Sequence, residues 1–206
     1  DPQFQRGRWV VNGCEFDAVI LACGAGAKNL CGLDWMPMHT VRGQVTIGKA
    51  AGVVPKTALC YGGYMVPLGD GQIVCGSTFQ KWRDDTDISP EDDEENLAKL
   101  YAVQPDWKDK MDVIGHRAGM RAATQDHWPL IGAVPDYQSW KTGKDGYVDG
   151  LYISAGHGSH GILSSLMAAY TIADDLNYAP SSIGTHSKAA LNPERFLERL
   201  RRKNEL

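Results

Sequence analysis

Leu151-Tyr152-Ile153-Ser154-Ala155 runs straight into Gly156-His157-Gly158-Ser159-His160-Gly161. The first five residues read as a short strand, rich in side chains that suit a pleated, half-buried surface. Three glycines in the next six residues let the backbone approach a ligand closely. Beyond them Ile162, Leu163, Leu166, Met167, Tyr170 and Ala173 recur at helical spacing, which predicts one apolar helix stripe. A strand, a glycine turn and a helix start present unpaired N–H groups and partial positive charge, where an electron-rich group can bind. A tight crossover turn uses the same residues, so spacing alone leaves both readings open.

A similar junction lies upstream. Residues 16–23, FDAVILAC, are a nearly unbroken apolar run, which suits a strand covered on both faces. The run enters Gly24-Ala25-Gly26-Ala27, but position 29 is Asn, so the third glycine of a G-x-G-x-x-G fingerprint is absent. A tight turn is the simpler reading of those residues alone. Trp9-Val10-Val11 meets Asn12-Gly13, a strong hairpin signal. Further strands are expected at 41–47, 64–68 and 72–78, with Gly69-Asp70-Gly71 as a hairpin loop; together they predict an antiparallel sheet. Ser89, Pro90 and Asp92 read as the cap, first residue and acidic first turn of a helix over 90–101, with Leu97, Leu100 and Tyr101 as its apolar stripe. The acidic run 84–95 reads as a solvated face, not a metal site. Residues 136–149 read as a polar excursion, and 195–203, RFLERLRRK, as a basic helical tail.

The composition bounds the function. The 206 residues are 43% hydrophobic and 22% charged, with a net charge of -4, as in a soluble globular chain. No apolar run approaches the length of about 20 residues that a membrane-spanning helix needs. The acidic balance disfavours a general nucleic-acid coat, leaving RNA affinity to a local patch. Five cysteines with no C-x-x-C read as reduced thiols of a cytoplasmic protein, Cys23 and Cys75 among them as small core hydrophobes. The start, Asp1-Pro2-Gln3-Phe4, carries no Met or signal peptide and reads as internal, so an upstream part of the domain is expected.

The order of segments then narrows the class. FDAVILACGAGA at 16–27, VRGQVT at 41–46, CYGGYMVPLGDG at 60–71, CGSTF at 75–79, RAGMRAATQDHWPLIG at 117–132 and LYISAGHGSHGILSS at 151–165 follow one another. In this order they resemble the later half of the D-amino-acid-oxidase family of FAD enzymes, to which glycine oxidase and sarcosine oxidase belong. QDHWPLIGAVPDY at 125–137 and AALNPERF at 189–196 are most similar to a tRNA-modifying member, whose oxidoreductase domain is joined to an S-adenosyl-L-methionine-dependent methyltransferase domain.

The resemblance implies a mixed α+β and α/β fold: an antiparallel substrate-domain sheet plus the C-terminal part of a Rossmann-type FAD-binding domain. The implied boundaries are 1–40 for part of the FAD-binding domain, 41–125 for the substrate domain, 126–186 for the return to the FAD-binding domain and 187–206 for the tail. It implies FAD as cofactor, with Gly24 and Ala25 by its phosphate–ribityl region and Arg42, Gly43 and Gln44 near its ring system. Gly156, His157, Gly158, Ser159, His160 and Gly161 would face the pyrimidine edge. Tyr64 of Tyr-x-x-Pro and Arg121 of Gly-x-Arg would hold a substrate carboxylate, a phenol bond beside a guanidinium fork. The implied reaction is oxidative removal of the carboxymethyl group of 5-carboxymethylaminomethyl-2-thiouridine at the tRNA wobble position, giving 5-aminomethyl-2-thiouridine and glyoxylate. No residue stands out as a general base; His157 and His160 are the candidates. A small-molecule amine oxidase of the glycine or sarcosine type, and a flavin-free binding domain, are the alternatives. Arg195, Arg199, Arg201, Arg202 and Lys203 read equally as an RNA patch or a solvated helix end.

Overall fold

The computed structural model describes residues 1–52, 56–108 and 110–206. In chain order the strands are β1 (Gln3–Gln5), β2 (Arg8–Val11), β3 (Cys14–Phe16), β4 (Val19–Leu21), β5 (Met38–Ala50), β6 (Leu59–Cys60), β7 (Tyr64–Gly69), β8 (Gln72–Gly76), β9 (Met111–Thr124), β10 (Leu130–Pro135) and β11 (Tyr147–Ala155). The α-helices are α1 (Pro90–Val103), α2 (Tyr137–Lys141), α3 (Gly161–Leu176), α4 (Thr185–Leu191) and α5 (Glu194–Arg202). Two compact units divide the chain: unit 1 is Asp1–His39 with Arg121–Leu206, and unit 2 is Thr40–Met120. Among the described residues no helix is long and apolar enough to cross a membrane.

Unit 1 holds two small sheets. Strands β1, β2 and β3 form an antiparallel meander, and its second turn is the expected Asn12-Gly13, with φ of 50° and 80°. The other sheet runs β10-β11-β4, with β10 antiparallel and β4 parallel to β11. Strand alternation sends Leu21, Leu130, Leu151, Ile153 and Ala155 to one face, where they pack with Trp9, Leu33, Met36 and Phe196. Full burial of such a side chain contributes about 1.5–3 kcal/mol. The opposite face carries Ile131 and Tyr152, covered by Met167, Ala168 and Ile172 of α3 and by Leu191 of α4.

Three expectations are corrected in unit 1. The run 16–23 is not one covered strand: Phe16 ends β3, Asp17 interrupts, and β4 is a three-residue edge strand. Leu21 faces the core, whereas Ile20, pointing the other way, is 46% exposed and Cys23 is exposed too. Most of the stripe expected to bury α3 faces outward, with Ile162 93% and Leu163 77% exposed and Leu166 and Tyr170 beside them, whereas Met167 packs inward. The helix rests instead on Ala168, Thr171 and Ile172, small or β-branched residues that allow close approach to the sheet. The tail is not simply solvated, because α5 buries Arg195, Phe196 and Leu197.

Unit 2 is a five-stranded sheet, β6-β7-β8-β5-β9. The β7–β8 hairpin turns at Asp70 and Gly71, with φ of 50° and 75°, as Gly69-Asp70-Gly71 suggested. Met65, Ile73 and Cys75 of the sheet pack with Leu100 of α1 and with Trp107. The acidic run is not a solvated face throughout. Arg42, Gln44 and Thr46 alternate onto one face of β5 and meet the first turn of α1, which buries Asp92 and Asp93. Arg42 pairs with Asp92 at 2.5 Å, Thr46 Oγ1 donates to Asp93 at 2.6 Å, and His116 Nδ1 lies 2.7 Å from Asp93. The Ser89 hydroxyl does not cap α1; it donates to Glu91 at 2.5 Å.

Candidate functional site

Strands β4 and β11 are parallel neighbours, with Tyr152 opposite Ile20 and Ile153 opposite Leu21. Their carboxyl ends therefore share one edge, and each strand leaves that edge through a glycine turn. After β4 the chain winds through a 3-10 helix, Gly24–Asn29, anchored by the fully buried Ala27. After β11 it passes Gly156 and a single 3-10 turn, Gly158–His160, into α3. Ligands of open α/β sheets bind at this kind of edge, outside the carboxyl ends of strands.

The glycines differ in what they do. Gly24 and Gly158 have φ of +60° and +55°, and a Cβ on either would meet nothing within 4 Å. Both turns thus offer bare backbone to open space. Gly156, with φ of +70°, is needed for close packing, since a Cβ there would lie 2.9 Å from the Thr124 methyl. Ser159 and His160 are exposed and Ala25 is half-buried. The N–H groups of the first turn of α3, beginning at Gly161, and its positive dipole end stand at the second turn. Open backbone beside a helix N-terminus suits an anionic or electron-rich group, such as a flavin nucleotide carries.

His157 is held at both ring nitrogens. Nε2 lies 3.1 Å from Ser154 Oγ and Nδ1 lies 2.8 Å from Ser164 Oγ. Burial pushes its pKa below the usual imidazole value, and the Ser154 backbone carbonyl acts weakly in the opposite sense. A cavity of about 450 Å³ opens beside it, lined by His127, Trp128, His157, His160, Met167 and Leu191. Asp126 anchors the loop before β10: it accepts from Thr124 Oγ1 at 3.0 Å and from the Trp128 N–H at 3.3 Å. Burial alone would raise the Asp126 pKa, but hydrogen bonding and charge from Arg195 overcome it and bring it to about 2.

The remaining sequence candidates fall in different places. Tyr64 opens β7 in unit 2 and is 36% exposed. Arg121 is half-buried where unit 1 resumes, ahead of the buried Ala122, Ala123 and Thr124. The side chains of Arg42 and Gln44 are spent inside unit 2, since Gln44 Nε2 donates to the Ser89 carbonyl at 2.7 Å and Arg42 to Gln80 at 2.7 Å. Gly43, between them, alternates to the other face of β5. Sequence reading missed the Asp126–Arg195 pair and the Ser154–His157–Ser164 chain. Each pairs residues from separate elements, and the only signals were that Asp126 and Arg195 stand in the two most family-specific stretches.

Comparison with known proteins adds to this geometry. The family model described as FAD dependent oxidoreductase matches residues 2–175. The tRNA 5-methylaminomethyl-2-thiouridine biosynthesis bifunctional protein of Azoarcus sp. (strain BH72) is 33% identical over 90% of this chain and 30% of its own length. Its counterpart in Shewanella sp. (strain W3-18-1) is 31% identical over 88% of this chain and 30% of its own length. The chain therefore spans about 30% of the length of these relatives. Among solved structures, glycine oxidase from Geobacillus kaustophilus superposes with a TM-score of 0.74 at 23% identity, covering 89% of this chain and 49% of that one. Iminodiacetate oxidase from Chelativorans sp. BNC1 gives a TM-score of 0.72 at 20% identity, over 93% and 51%. These two show the fold.

Proposed function

The chain belongs to the FAD dependent oxidoreductase family, and from that premise we propose that it forms part of an enzyme that oxidises a secondary amine carried on tRNA. The substrate is 5-carboxymethylaminomethyl-2-thiouridine at the wobble position; with one water consumed and two electrons given to the flavin, the products are 5-aminomethyl-2-thiouridine and glyoxylate. The observation that carries the flavin part is the shared edge of β4 and β11, where two glycine turns with open backbone lie side by side. The tRNA part is supported by relatives named for tRNA 5-methylaminomethyl-2-thiouridine biosynthesis. A tRNA substrate places the reaction in the cytoplasm.

Each residue has a stated task. Unit 1 is the FAD-binding part and unit 2 the substrate part. Gly24 and Ala25 accept the phosphate–ribityl chain; Gly158, Ser159, His160 and Gly161 offer backbone to the pyrimidine edge. The bound flavin supplies the two-electron acceptor for C–N oxidation. Arg121 forks onto the substrate carboxylate, and Tyr64 donates a hydrogen bond to substrate. Arg42 and Gln44 hold β5 through the network they build with α1, and Gly43 adds no side chain to the strand's other face. A dry site keeps the substrate amine neutral, the form from which oxidation proceeds.

Arg121→Ala in the whole polypeptide tests the substrate half of this reading. Loss of a charge-assisted fork is expected to weaken binding by about 2–4 kcal/mol, seen as a raised KM. An unchanged KM and turnover on carboxymethylaminomethyl-modified tRNA would reject the role. A small-molecule amine oxidase is the second reading. It is favoured by one observation: Arg195 is buried and spent on Asp126, and Arg199, Arg201 and Arg202 each face a carboxylate, which lowers the net positive charge the tail offers to RNA.

A further inference from the structure

Three hydroxyl and imidazole groups span the glycine turn. Ser154 is on β11, His157 is in the turn, and Ser164 is in the first turn of α3. The Ser164 hydroxyl donates its only proton to the His160 carbonyl, 2.8 Å away. Toward His157 Nδ1, at 2.8 Å, the same oxygen can then only accept, so Nδ1 bears the proton. Among the described residues no carboxylate pairs with His157, and burial disfavours its charged form. With the ring neutral and its proton on Nδ1, Nε2 accepts from the Ser154 hydroxyl at 3.1 Å; the competing tautomer would turn a ring N–H toward Ser154, whose backbone carbonyl also faces the ring. The titratable groups that share its cavity are His127 from the loop before β10 and His160 from the turn itself. From β9, Ala123 bridges His157 through the backbone.

We propose that His157 is a positioning residue, a neutral Nδ1-protonated strut that ties the end of β11 to the first turn of α3 and holds the Gly158–Gly161 backbone open. Both nitrogens are spent on this, so His157 is not a proton-transfer group. The strut itself needs no cofactor; its purpose, keeping those N–H groups aimed at an electron-rich ring edge, rests on the flavin reading above. The ring bridges residues on either side of three glycines, Gly156, Gly158 and Gly161, which would otherwise leave the turn with many backbone states.

The first test uses the chain without flavin. Long-range nitrogen–proton NMR of labelled histidine is expected to place the His157 proton on Nδ1 at neutral pH. A proton on Nε2, or an imidazolium, would overturn the proposal. The second test compares His157→Asn, which keeps an N–H donor toward Ser164, with His157→Phe, which keeps a ring and loses the donor. Amide exchange across 158–164 is expected to quicken by at least about tenfold in H157F, which loses both ring hydrogen bonds, and by clearly less in H157N, which keeps the one to Ser164. Parent-like exchange in H157F would overturn the strut, and the NMR result decides it if H157F does not fold. Titration of the whole polypeptide with FAD then separates the two readings. Weakened binding in H157F, restored in H157N, supports strut and purpose together. Confirmed strut behaviour with no FAD binding by any variant leaves the strut standing and sinks the flavin reading.

Discussion

Arg195 grips Asp126 through two parallel hydrogen bonds, 2.9 Å from Nε to Oδ2 and 3.1 Å from Nη2 to Oδ1, across 69 residues of sequence. Arg195 Nη2 also donates to the Trp128 carbonyl at 2.7 Å, and Arg199 reaches Asp126 Oδ2 at 2.8 Å. The C-terminal helix α5 thus clamps the loop that leads into β10 and lines the cavity beside the glycine turn. Fork-to-carboxylate geometry fixes direction as well as distance, which a lysine would not do.

Removing Arg195 leaves the largely buried Asp126 carboxylate with only the half-exposed Arg199 as its charged partner. Arg195→Ala is expected to cost about 3 kcal/mol of unfolding free energy, and Arg195→Lys to recover only part of it. Urea unfolding of the three proteins checks this. An Arg195→Ala protein as stable as its parent would show the clamp to be decorative.

The same pair sets an acid limit. Asp126 has a folded pKa of about 2, below its unfolded value of about 3.9. A depressed carboxylate contributes stability that is fully present above the unfolded pKa and fades as pH falls toward the folded one. Between pH of about 4 and 2 the parent is therefore expected to lose stability more steeply than Asp126→Asn, which lacks the titrating group. Parallel pH profiles for the two would contradict the assignment.

In unit 2 the fully buried Arg42 depends on Asp92. Asp92→Asn is expected to destabilise by about 3 kcal/mol, because the guanidinium stays buried and keeps only the more exposed Asp85, 3.5 Å from Nε, as counter-charge. The double change Arg42→Met with Asp92→Leu removes both charges and is expected to cost less than the single one. Equilibrium unfolding of both variants decides it: a double variant weaker than the single one would mean that the surrounding network, not the ion pair, governs this corner.

The outward stripe of α3 makes a different kind of statement. Leu163→Glu and Leu166→Lys lie on exposed positions, so each is expected to change stability by no more than about 0.5 kcal/mol. Binding of a hydrophobic dye by the chain is expected to fall in the double variant, since the patch that takes it up is disrupted. A large loss of stability would show that the stripe is packed after all.

How the sequence could be read follows from the range of the forces involved. Asn12-Gly13 and Asp70-Gly71 set their turns through local φ preferences, so both hairpins were legible. The strand–glycine–helix order of 151–176 was legible for the same reason. The buried side of α3 was legible only in part: Ile162, Leu163, Leu166 and Tyr170 lie outward, and Ala168 and Thr171 beside Ile172 give little hydrophobic signal. Asp92 and Asp93 looked solvated because their partners, Arg42, Gln44 and Thr46, come from a strand about fifty residues away. Arg195 looked like a free tail charge for the same reason. The glycine turns announced the site, whereas the hydrogen bonds that hold His157 emerged only from the fold.

The central claim is that a tRNA-borne secondary amine is oxidised with loss of its carboxymethyl group. It is tested most directly by glyoxylate release from the whole polypeptide supplied with FAD. Modified tRNA bearing 5-carboxymethylaminomethyl-2-thiouridine is offered in one reaction, free glycine or sarcosine in another. The account predicts glyoxylate from the tRNA and scarcely any turnover of the free amino acids. Equal or faster turnover of free glycine or sarcosine would contradict it and make this a small-molecule amine oxidase.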